Sequence, residues 1–353
     1  MNLWVLMSMR EFPKVSIVIS ARNEERYLGE CLESIAAQTY PHELIELLLV
    51  DSASEDRTRD IMEDFARKAD INVKILSNPR GDTPRGLNTG IKAATGELIM
   101  FMSAHSYMPE NHIERAVKIL YEKDADGVSC RLKSIGSGMG KVWDDVIAAA
   151  MESPVGLGNV KARVGKKAGW IDNPMFALYR RELFERFGYL DERLTRNQDY
   201  EFNQRCYQGG ARFWFQPDLV VYYHNRPTLR ALWRQYFNSA FWRAFMVGQF
   251  GRAIRLRHLV PPAFVVVLVL SALFALVSKF WLSVFLCIFG LYVITIILGA
   301  AIEAVKRKKA RIFPLLPIAF ATIHFAFGLG MIAGLVKFVL LGKRKYIKAA
   351  VKQ

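Results

Sequence analysis

VSIVISARNE, residues 15–24, is a β-branched run broken only by serines and closed by a short polar turn. A run of that kind suits a strand buried on both faces of a parallel sheet. YLGECLESIAAQ (27–38) follows, with apolar residues at three- and four-residue steps, and is predicted as a helix. IELLLVD (45–51) is a second strand ending in Asp51. SASEDRTRDIMEDFARKA (52–69) opens with small polar capping residues and runs into a second helix. VKILSN (73–78) is a third strand, GDTPRGLNTGIKAATG (81–96) a loop feeding a helix, and ELIMFMSAHS (97–106) a fourth strand with a polar end. This alternation predicts an α/β fold with a doubly wound parallel sheet. Ligands of such sheets bind beyond the carboxyl ends of the strands. ARNE, DSASED and SAHS all fall at those ends, so three separate segments converge on one crevice.

The whole chain of 353 residues is 52% hydrophobic, with a mean hydropathy of +0.13. The apolar content is uneven. Up to about His258 charge and hydrophobe are mixed; beyond it come long runs almost free of charge. That excludes a small disulfide scaffold, a fibrous repeat and an ordinary cytosolic enzyme, and suggests a catalytic or binding domain with a membrane anchor. The four cysteines (31, 130, 206 and 287) form no CxxC pair, so zinc ribbons and redox motifs lack support. MNLWVLMSMREF lacks the basic start and sustained apolar stretch of a signal peptide, so the N-terminal domain is expected on the cytoplasmic side.

Leu259–Ser278, Phe280–Ile302 and Ile312–Leu341 are the apolar runs. The first two are long enough to cross a hydrocarbon core of about 30 Å. In the third, Pro314, Pro317 and the glycines at 328, 330 and 334 leave open either a single crossing or a bent, re-entrant segment. The net charge of +15 raises nucleic acid as a partner, but the basic residues cluster beside the apolar runs: Arg252, Arg255 and Arg257, then Lys306–Lys309 and Arg311, then Lys343–Lys345 and Lys348. Anionic membrane lipids and the positive-inside rule account for that placement, and no nucleic-acid-binding pattern is present. Residues 229–259, where aromatics and arginines alternate at helical spacing, are expected to form an amphipathic helix in the headgroup zone. The expected organisation is a catalytic domain over 1–228, an interfacial helix over 229–258 and a membrane domain over 259–353.

VSIVISARNE, VDSASEDRT, GLNTGIKAATGELIMFMSAHS and RNQDYEFNQR (196–205), in this order and spacing, resemble the inverting family 2 glycosyltransferases of GT-A fold. The nearest pattern is the succinoglycan-type subgroup of membrane-bound sugar transferases. The resemblance spans about Pro13 to His224.

It implies roles for single residues. Backbone groups at Ala21 and Asn23 would hold the donor base, with Glu24 fixing the loop or ribose; a capped turn explains the same residues. Asp51 would accept a hydrogen bond from base or ribose, or cap the next helix. Arg85, or its neighbour Arg80, would lie over the donor diphosphate, since a guanidinium matches phosphate geometry. Where most of the family has Asp-x-Asp holding Mg²⁺ or Mn²⁺, this chain has Ser103, Ala104 and His105. The implied metal ligands are therefore His105 and the later His224, with Mn²⁺ suiting imidazole better than Mg²⁺. Asp199 of RNQDYE aligns with the family's general base. Glu201, two residues on, would contact a sugar or support the loop, and the alternative for the whole segment is a helix start capped by Asn197. Asp172 and Asn173 are candidate sugar contacts. Gln235 falls where processive relatives carry QxxRW, but no Arg-Trp follows at that spacing, which argues against a polymer synthase.

The function these residues imply is transfer of one sugar from a nucleotide diphosphate sugar, UDP-linked by preference, to a membrane-associated, polyprenyl-linked acceptor at the cytoplasmic face. The alternative is a catalytically weakened nucleotide-sugar-binding or scaffold protein, favoured by the lost Asp-x-Asp and opposed by the retained Asp199.

Overall fold

A computed structural model describes residues 12–140, 142–250 and 256–341. In chain order its elements are β1 (Val15–Ala21), α1 (Leu28–Ala36), β2 (Ile45–Asp51), α2 (Thr58–Lys68), β3 (Asn72–Ser77), α3 (Thr83–Ala93), β4 (Leu98–Met102), β5 (Ser106–Tyr107), α4 (His112–Glu122) and β6 (Gly127–Ile135). There follow α5 (Val142–Glu152), α6 (Pro154–Leu157), α7 (Lys161–Val164), β7 (Gly169–Ile171), β8 (Leu178–Arg180), α8 (Glu182–Phe187), α9 (Gln198–Gln208) and β9 (Phe213–His224). The last four helices are α10 (Leu229–Phe250), α11 (Leu256–Phe274), α12 (Lys279–Arg307) and α13 (Leu316–Leu335).

The chain divides into two units. One holds the residues up to Lys133 and Lys161–Tyr223; the other holds Ser134–Val160 and the chain from His224 onward. This division differs from the expected domain over 1–228 in that 134–160 groups with the chain from His224 onward.

In the first unit the strands are ordered β3-β2-β1-β4-β8-β6-β9-β5, with β7 on β9. β1 pairs in parallel with β2 and β4, and β2 with β3, as the alternating sequence predicts. The sheet then turns antiparallel, through β4–β8 and β8–β6, with β5 and β7 on β9. Successive side chains of a strand point to opposite faces. Ile17, Ile19, Leu47 and Leu49 accordingly join one buried cluster with α1 and α4, while Val18 and Leu48 join another with α3 and the aromatic residues Tyr179, Phe184 and Phe202. Helix α3 approaches β1 closely because position 86 is glycine; a Cβ there would stand 2.1 Å from Ser20 Oγ. The chain runs from β1 to β2 on one side and later returns to β4 on the other, so strand order reverses at β1. That reversal is where α/β sheets open a ligand crevice.

The alternating pattern does not reveal Glu46, a fully buried carboxylate at the second position of IELLLVD. It accepts from Ser16 Oγ at 2.6 Å, Thr95 N at 2.7 Å, Thr95 Oγ1 at 2.9 Å and Lys74 Nζ at 2.8 Å. Burial alone would raise its pKa, but these donors outweigh it and hold it at about 2.

In the second unit, Lys279–Arg307 and Leu316–Leu340 are long and apolar enough to cross a membrane, with mean hydropathies of 2.6 and 1.9. The apolar helix His258–Phe274 is shorter. Most of the third apolar run is helical, as α13 followed by a π turn (Val336–Leu340). Its glycines serve packing instead: a Cβ at Gly330 would meet Phe237 O at 2.3 Å, and one at Gly334 would meet Phe241 O at 2.6 Å. Small residues let helix backbones close together, so α10 packs along α13. Residue Val155, in α6, packs on Gly299 of α12, and its carbonyl accepts from His324 Nε2 at 2.8 Å. The basic run 306–311 is also engaged within the protein. Arg307 pairs with Glu152 at 2.8 Å and Glu303 at 3.3 Å, Lys309 with Asp145 at 2.6 Å, Arg311 with Asp145, and Lys306 with Glu303 at 3.5 Å. Four of the basic residues expected to face lipid are thus met by carboxylates, two of which, Asp145 and Glu152, lie on the 134–160 segment; Arg252, Arg255 and the basic residues at 343–348 lie outside the described residues.

Candidate active site

The two turns beyond β1 and β2 are tied to each other. Asn23, in the left-handed region at φ 55°, donates its N–H to Ser54 Oγ at 3.2 Å, and its Oδ1 accepts from Glu55 N at 2.8 Å. Glu24 N donates to Thr58 Oγ1 at 2.8 Å. Asp51 Oδ1 accepts from Ser54 N at 3.1 Å, which closes a local turn and does not cap α2, whose N-cap is Arg57, and Ala21 O accepts from Ser52 N at 2.8 Å. ARNE and DSASED therefore form one rigid rim.

The Glu24 carboxylate reaches across to the end of β4, where its Oε1 lies 2.9 Å from His105 Nδ1. Ser103 Oγ sits 3.2 Å from the ring nitrogens of His105. The Ser103 carbonyl accepts from Ser106 N, Ser106 Oγ and Cys31 Sγ, which fixes the SAHS turn. Tyr223, aligned with Ser106 through the β5–β9 pairing, stacks edge-on against His105 with centroids 4.7 Å apart. Burial works against charge on His105. Tyr223 and the Glu24 carboxylate outweigh it and raise the imidazole to about 9, so it is protonated at neutral pH. Arg163, 6% exposed, places its guanidinium over the same Tyr223 ring, 5.6 Å from the centroid.

The antiparallel β4–β8 register sets Met100 opposite Leu178. The stretch just before β8, residues 172–176, therefore lies at the same end of the sheet as Ser103–His105. Helix α9 is bolted to that stretch: Asn203 Nδ2 donates to Pro174 O at 2.8 Å and Asn173 Oδ1 at 3.2 Å, and Gln204 Nε2 donates to Asp172 O at 2.8 Å. Asp199 stands one turn before Asn203 on the same helix face. It is near Tyr179, whose phenol is pushed upward first by burial and then by the Asp199 carboxylate, and whose OH donates to Asn203 Oδ1 at 2.9 Å. The expected residues Asp172, Asn173 and Asp199 thus come together. Asn197 precedes the helix in a left-handed conformation and does not cap it with its side chain. Asp199, in the first turn, benefits from the helix dipole.

Other expected contacts are engaged elsewhere. Glu201 is buried, and both of its oxygens go to Arg205, at 2.9 and 2.8 Å. Arg205 in turn donates to the carbonyls of Phe187 and Tyr189. Of the two roles open to Glu201, its geometry is that of loop support rather than sugar contact. Arg85 is held by Asp82 at 2.6 Å and Glu192 at 3.3 Å, so its charge is already matched within the protein. His224 and Gln235 belong to the second unit, and His224 Nδ1 donates to Gly136 O at 2.9 Å. Arg163 is absent from the sequence expectations because nothing around a lone arginine in a four-residue helix marks it.

Residues 16–188 match the sequence model described as Glycosyl transferase family 2. The chain carries a family 2 glycosyltransferase domain. It is 25% identical over 337 residues to the dolichyl N-acetyl-alpha-D-glucosaminyl phosphate 3-beta-D-2,3-diacetamido-2,3-dideoxy-beta-D-glucuronosyltransferase of Methanococcus voltae, covering 92% of this chain and 97% of that one. It is 27% identical over 336 residues to the succinoglycan biosynthesis protein ExoA of Rhizobium meliloti, covering 94% and 98%. Among solved structures, the mannosyltransferase PcManGT of Pyrobaculum calidifontis, in complex with GDP-Man and Mn²⁺, aligns with a TM-score of 0.61 at 20% identity, over 93% of this chain and 88% of that one. That likeness establishes the GT-A fold of this glycosyltransferase.

The metal of such enzymes can be tested against the donors present here. A hard divalent cation takes several oxygen ligands, chiefly carboxylates. The corresponding turn in this enzyme offers a neutral Ser103 hydroxyl and a His105 imidazole already committed to Glu24. Among the described residues no three His, Cys, Asp or Glu side chains gather into a set able to hold a cation. The expectation of a metal on His105 and His224 does not fit this donor set.

Proposed function

We propose that this glycosyltransferase moves a single sugar from a nucleoside diphosphate sugar to a lipid-linked acceptor at the cytoplasmic face of a membrane, with inversion at the anomeric carbon. The observation that carries the reading is Asp199, held at the start of α9 and bolted through Asn203 and Gln204 to the 172–174 stretch at the crevice end of the sheet.

In this mechanism the acceptor hydroxyl gives its proton to the Asp199 carboxylate as its oxygen forms a bond to the anomeric carbon. The bond from that carbon to the diphosphate breaks, and the nucleoside diphosphate leaves with the electron pair. One base on the attacking side suffices, and attack opposite the leaving group inverts the centre. The rim formed by ARNE and DSASED receives the nucleoside, with Asp51 Oδ2, which makes no hydrogen bond among the described residues, as acceptor for base or ribose. Asp172 and Asn173 face the sugars. The two long apolar helices support a membrane-held acceptor. The relatives point the same way: one is named for acting on a dolichyl phosphate-linked sugar, another for succinoglycan biosynthesis.

The test is transfer from a panel of UDP- and GDP-sugars to polyprenyl-linked acceptors by the full chain in membranes, with product anomericity read by NMR. Transfer to a lipid-linked acceptor with inversion supports the reading. Retention of configuration, or transfer only to water-soluble acceptors, contradicts it.

A further inference from the structure

Strand β6 carries a cation that its own surroundings leave unanswered. Gly127 and Val128 lie opposite Tyr179 and Leu178 in the antiparallel β6–β8 pairing, so β6 runs on from there toward the 172–176 stretch. Ser129 shows the direction, its Oγ accepting from Met175 N at 2.9 Å. Val128, Cys130 and Leu132 belong to the buried cluster with α1 and α4. Side chains alternate along a strand, so Arg131 points to the opposite face, the one that α9 covers through Phe202. It stands two residues past Ser129, about 7 Å further toward the crevice end of the sheet. Arg131 is half-buried. Its Nε is buried and meets no acceptor among the described residues, and none of them supplies a carboxylate for its charge. Other arginines of the same unit are matched: Arg85 by Asp82 and Glu192, Arg193 by Asp191, and Arg205 by Glu201. A buried donor without an acceptor is costly in a folded protein, and one that is kept calls for a ligand or another role.

We propose that Arg131 binds the phosphate joining the acceptor sugar to its lipid, and so selects a phosphate-linked acceptor over a neutral one. The proposal rests on the reading that the enzyme transfers a sugar to a lipid-linked acceptor. Position favours the acceptor over the donor. The rim for the nucleoside lies beyond β1 and β2, whereas β6 is the third strand on from β1, after β4 and β8. At about 4.8 Å per strand that is roughly 14 Å from β1. Inversion sets the attacking oxygen and the departing diphosphate on opposite sides of the anomeric carbon. The base must stand with the attacking oxygen, so α9 and the 172–174 stretch mark the acceptor's side, and Arg131 lies on that side. A sugar carried on a lipid through phosphate brings an anion within a sugar's width of the hydroxyl that attacks. A guanidinium is always charged and offers a planar fork of N–H donors that matches phosphate oxygens. Arg85, Arg193 and Arg205 already have carboxylates as partners, so Arg131 is the cation with capacity left for that phosphate.

The test uses the full chain in detergent and calorimetric titration with farnesyl phosphate, its neutral counterpart farnesol, UDP and GDP. Wild type should bind farnesyl phosphate about tenfold or more tighter than farnesol, as a charge-assisted hydrogen bond provides. Arg131→Gln should remove most of that difference while leaving farnesol and the preferred nucleoside diphosphate within about threefold of wild type. Arg131→Lys should recover part of the loss. The melting temperature of Arg131→Gln should not fall, because the substitution strands no acceptor. Equal affinity of wild type for farnesyl phosphate and farnesol overturns the proposal, and this comparison needs no variant to fold. Unchanged farnesyl phosphate affinity in Arg131→Gln also overturns it. If Arg131→Gln weakens UDP or GDP in place of farnesyl phosphate, the arginine belongs to the donor, which overturns the proposal and leaves the function reading intact. Failure of both nucleotides to bind wild type overturns the function reading and the proposal together.

Discussion

Glu24 and His105 meet at 2.9 Å across the ends of β1 and β4, joining two residues 81 apart in sequence at the point where strand order reverses. The pair closes the crevice rim and fixes the charge of the imidazole, and its pH dependence follows from the raised pKa. An unfolded histidine titrates near 6.5, whereas His105 in the fold titrates at about 9. Below pH 6.5 the proton is present in both states and the stabilisation is complete. Between 6.5 and 9 the unfolded chain sheds the proton first, so the contribution shrinks, and above 9 it is gone. The melting temperature of wild type should therefore exceed that of His105→Gln at pH 6 and converge with it by pH 9.5. A gap that stays constant over that range contradicts the ion pair.

Glu46 should behave in the opposite sense. Its pKa is lowered from 4.5 to about 2, so its stabilisation is present above 4.5 and lost as pH falls toward 2. Glu46→Ala strips four donors of their acceptor, among them the buried Ser16 hydroxyl, and should cost about 2–4 kcal/mol in denaturant unfolding. The loss should be largest near neutral pH.

Gly330→Leu places a side chain where Phe237 O would stand 2.3 Å from its Cβ, so α10 and α13 cannot stay in contact. Overpacking of this kind costs about 1–3 kcal/mol or more. Thermal unfolding of the detergent-solubilised chain should move to lower temperature, whereas the same change at Gly290, with nothing within 4 Å of its Cβ position, should not.

Much of this was legible in the chain because it depends on local pattern. Buried parallel strands need near-continuous apolar runs, and the segments 15–21, 45–51 and 98–102 supply them. Polar residues at the strand ends marked the turns that Glu24 and His105 join, and RNQDYE marked the first turn of α9, where the proposed base Asp199 stands. What could not be read depends on partners distant in sequence. Arg85 looks like a phosphate ligand until Glu192 is found beside it. Nothing in WDDVIAAAME says that Asp145 and Glu152 will meet the basic run beginning at Lys306. The glycines of α13 signal close packing as readily as a bend, and only the backbone of α10 decides between them.

Glu201 lies two positions from Asp199, but its carboxylate is bonded to Arg205. Glu201→Gln weakens the hold on Arg205 and, through it, on the Phe187 and Tyr189 carbonyls. It should lower the melting temperature and reduce transfer modestly, with activity partly recovered at lower temperature. Loss of transfer without any loss of stability would assign Glu201 to the chemistry instead.

The most direct measurement is the rate of sugar transfer by Asp199→Asn, alongside its affinity for the donor nucleotide. The asparagine keeps the size and hydrogen bonding of the side chain but cannot accept the acceptor's proton. Donor affinity should stay within about threefold of wild type and transfer should fall by roughly 10²–10⁴. Transfer at near wild-type rate by Asp199→Asn would contradict the assignment of this carboxylate as the base.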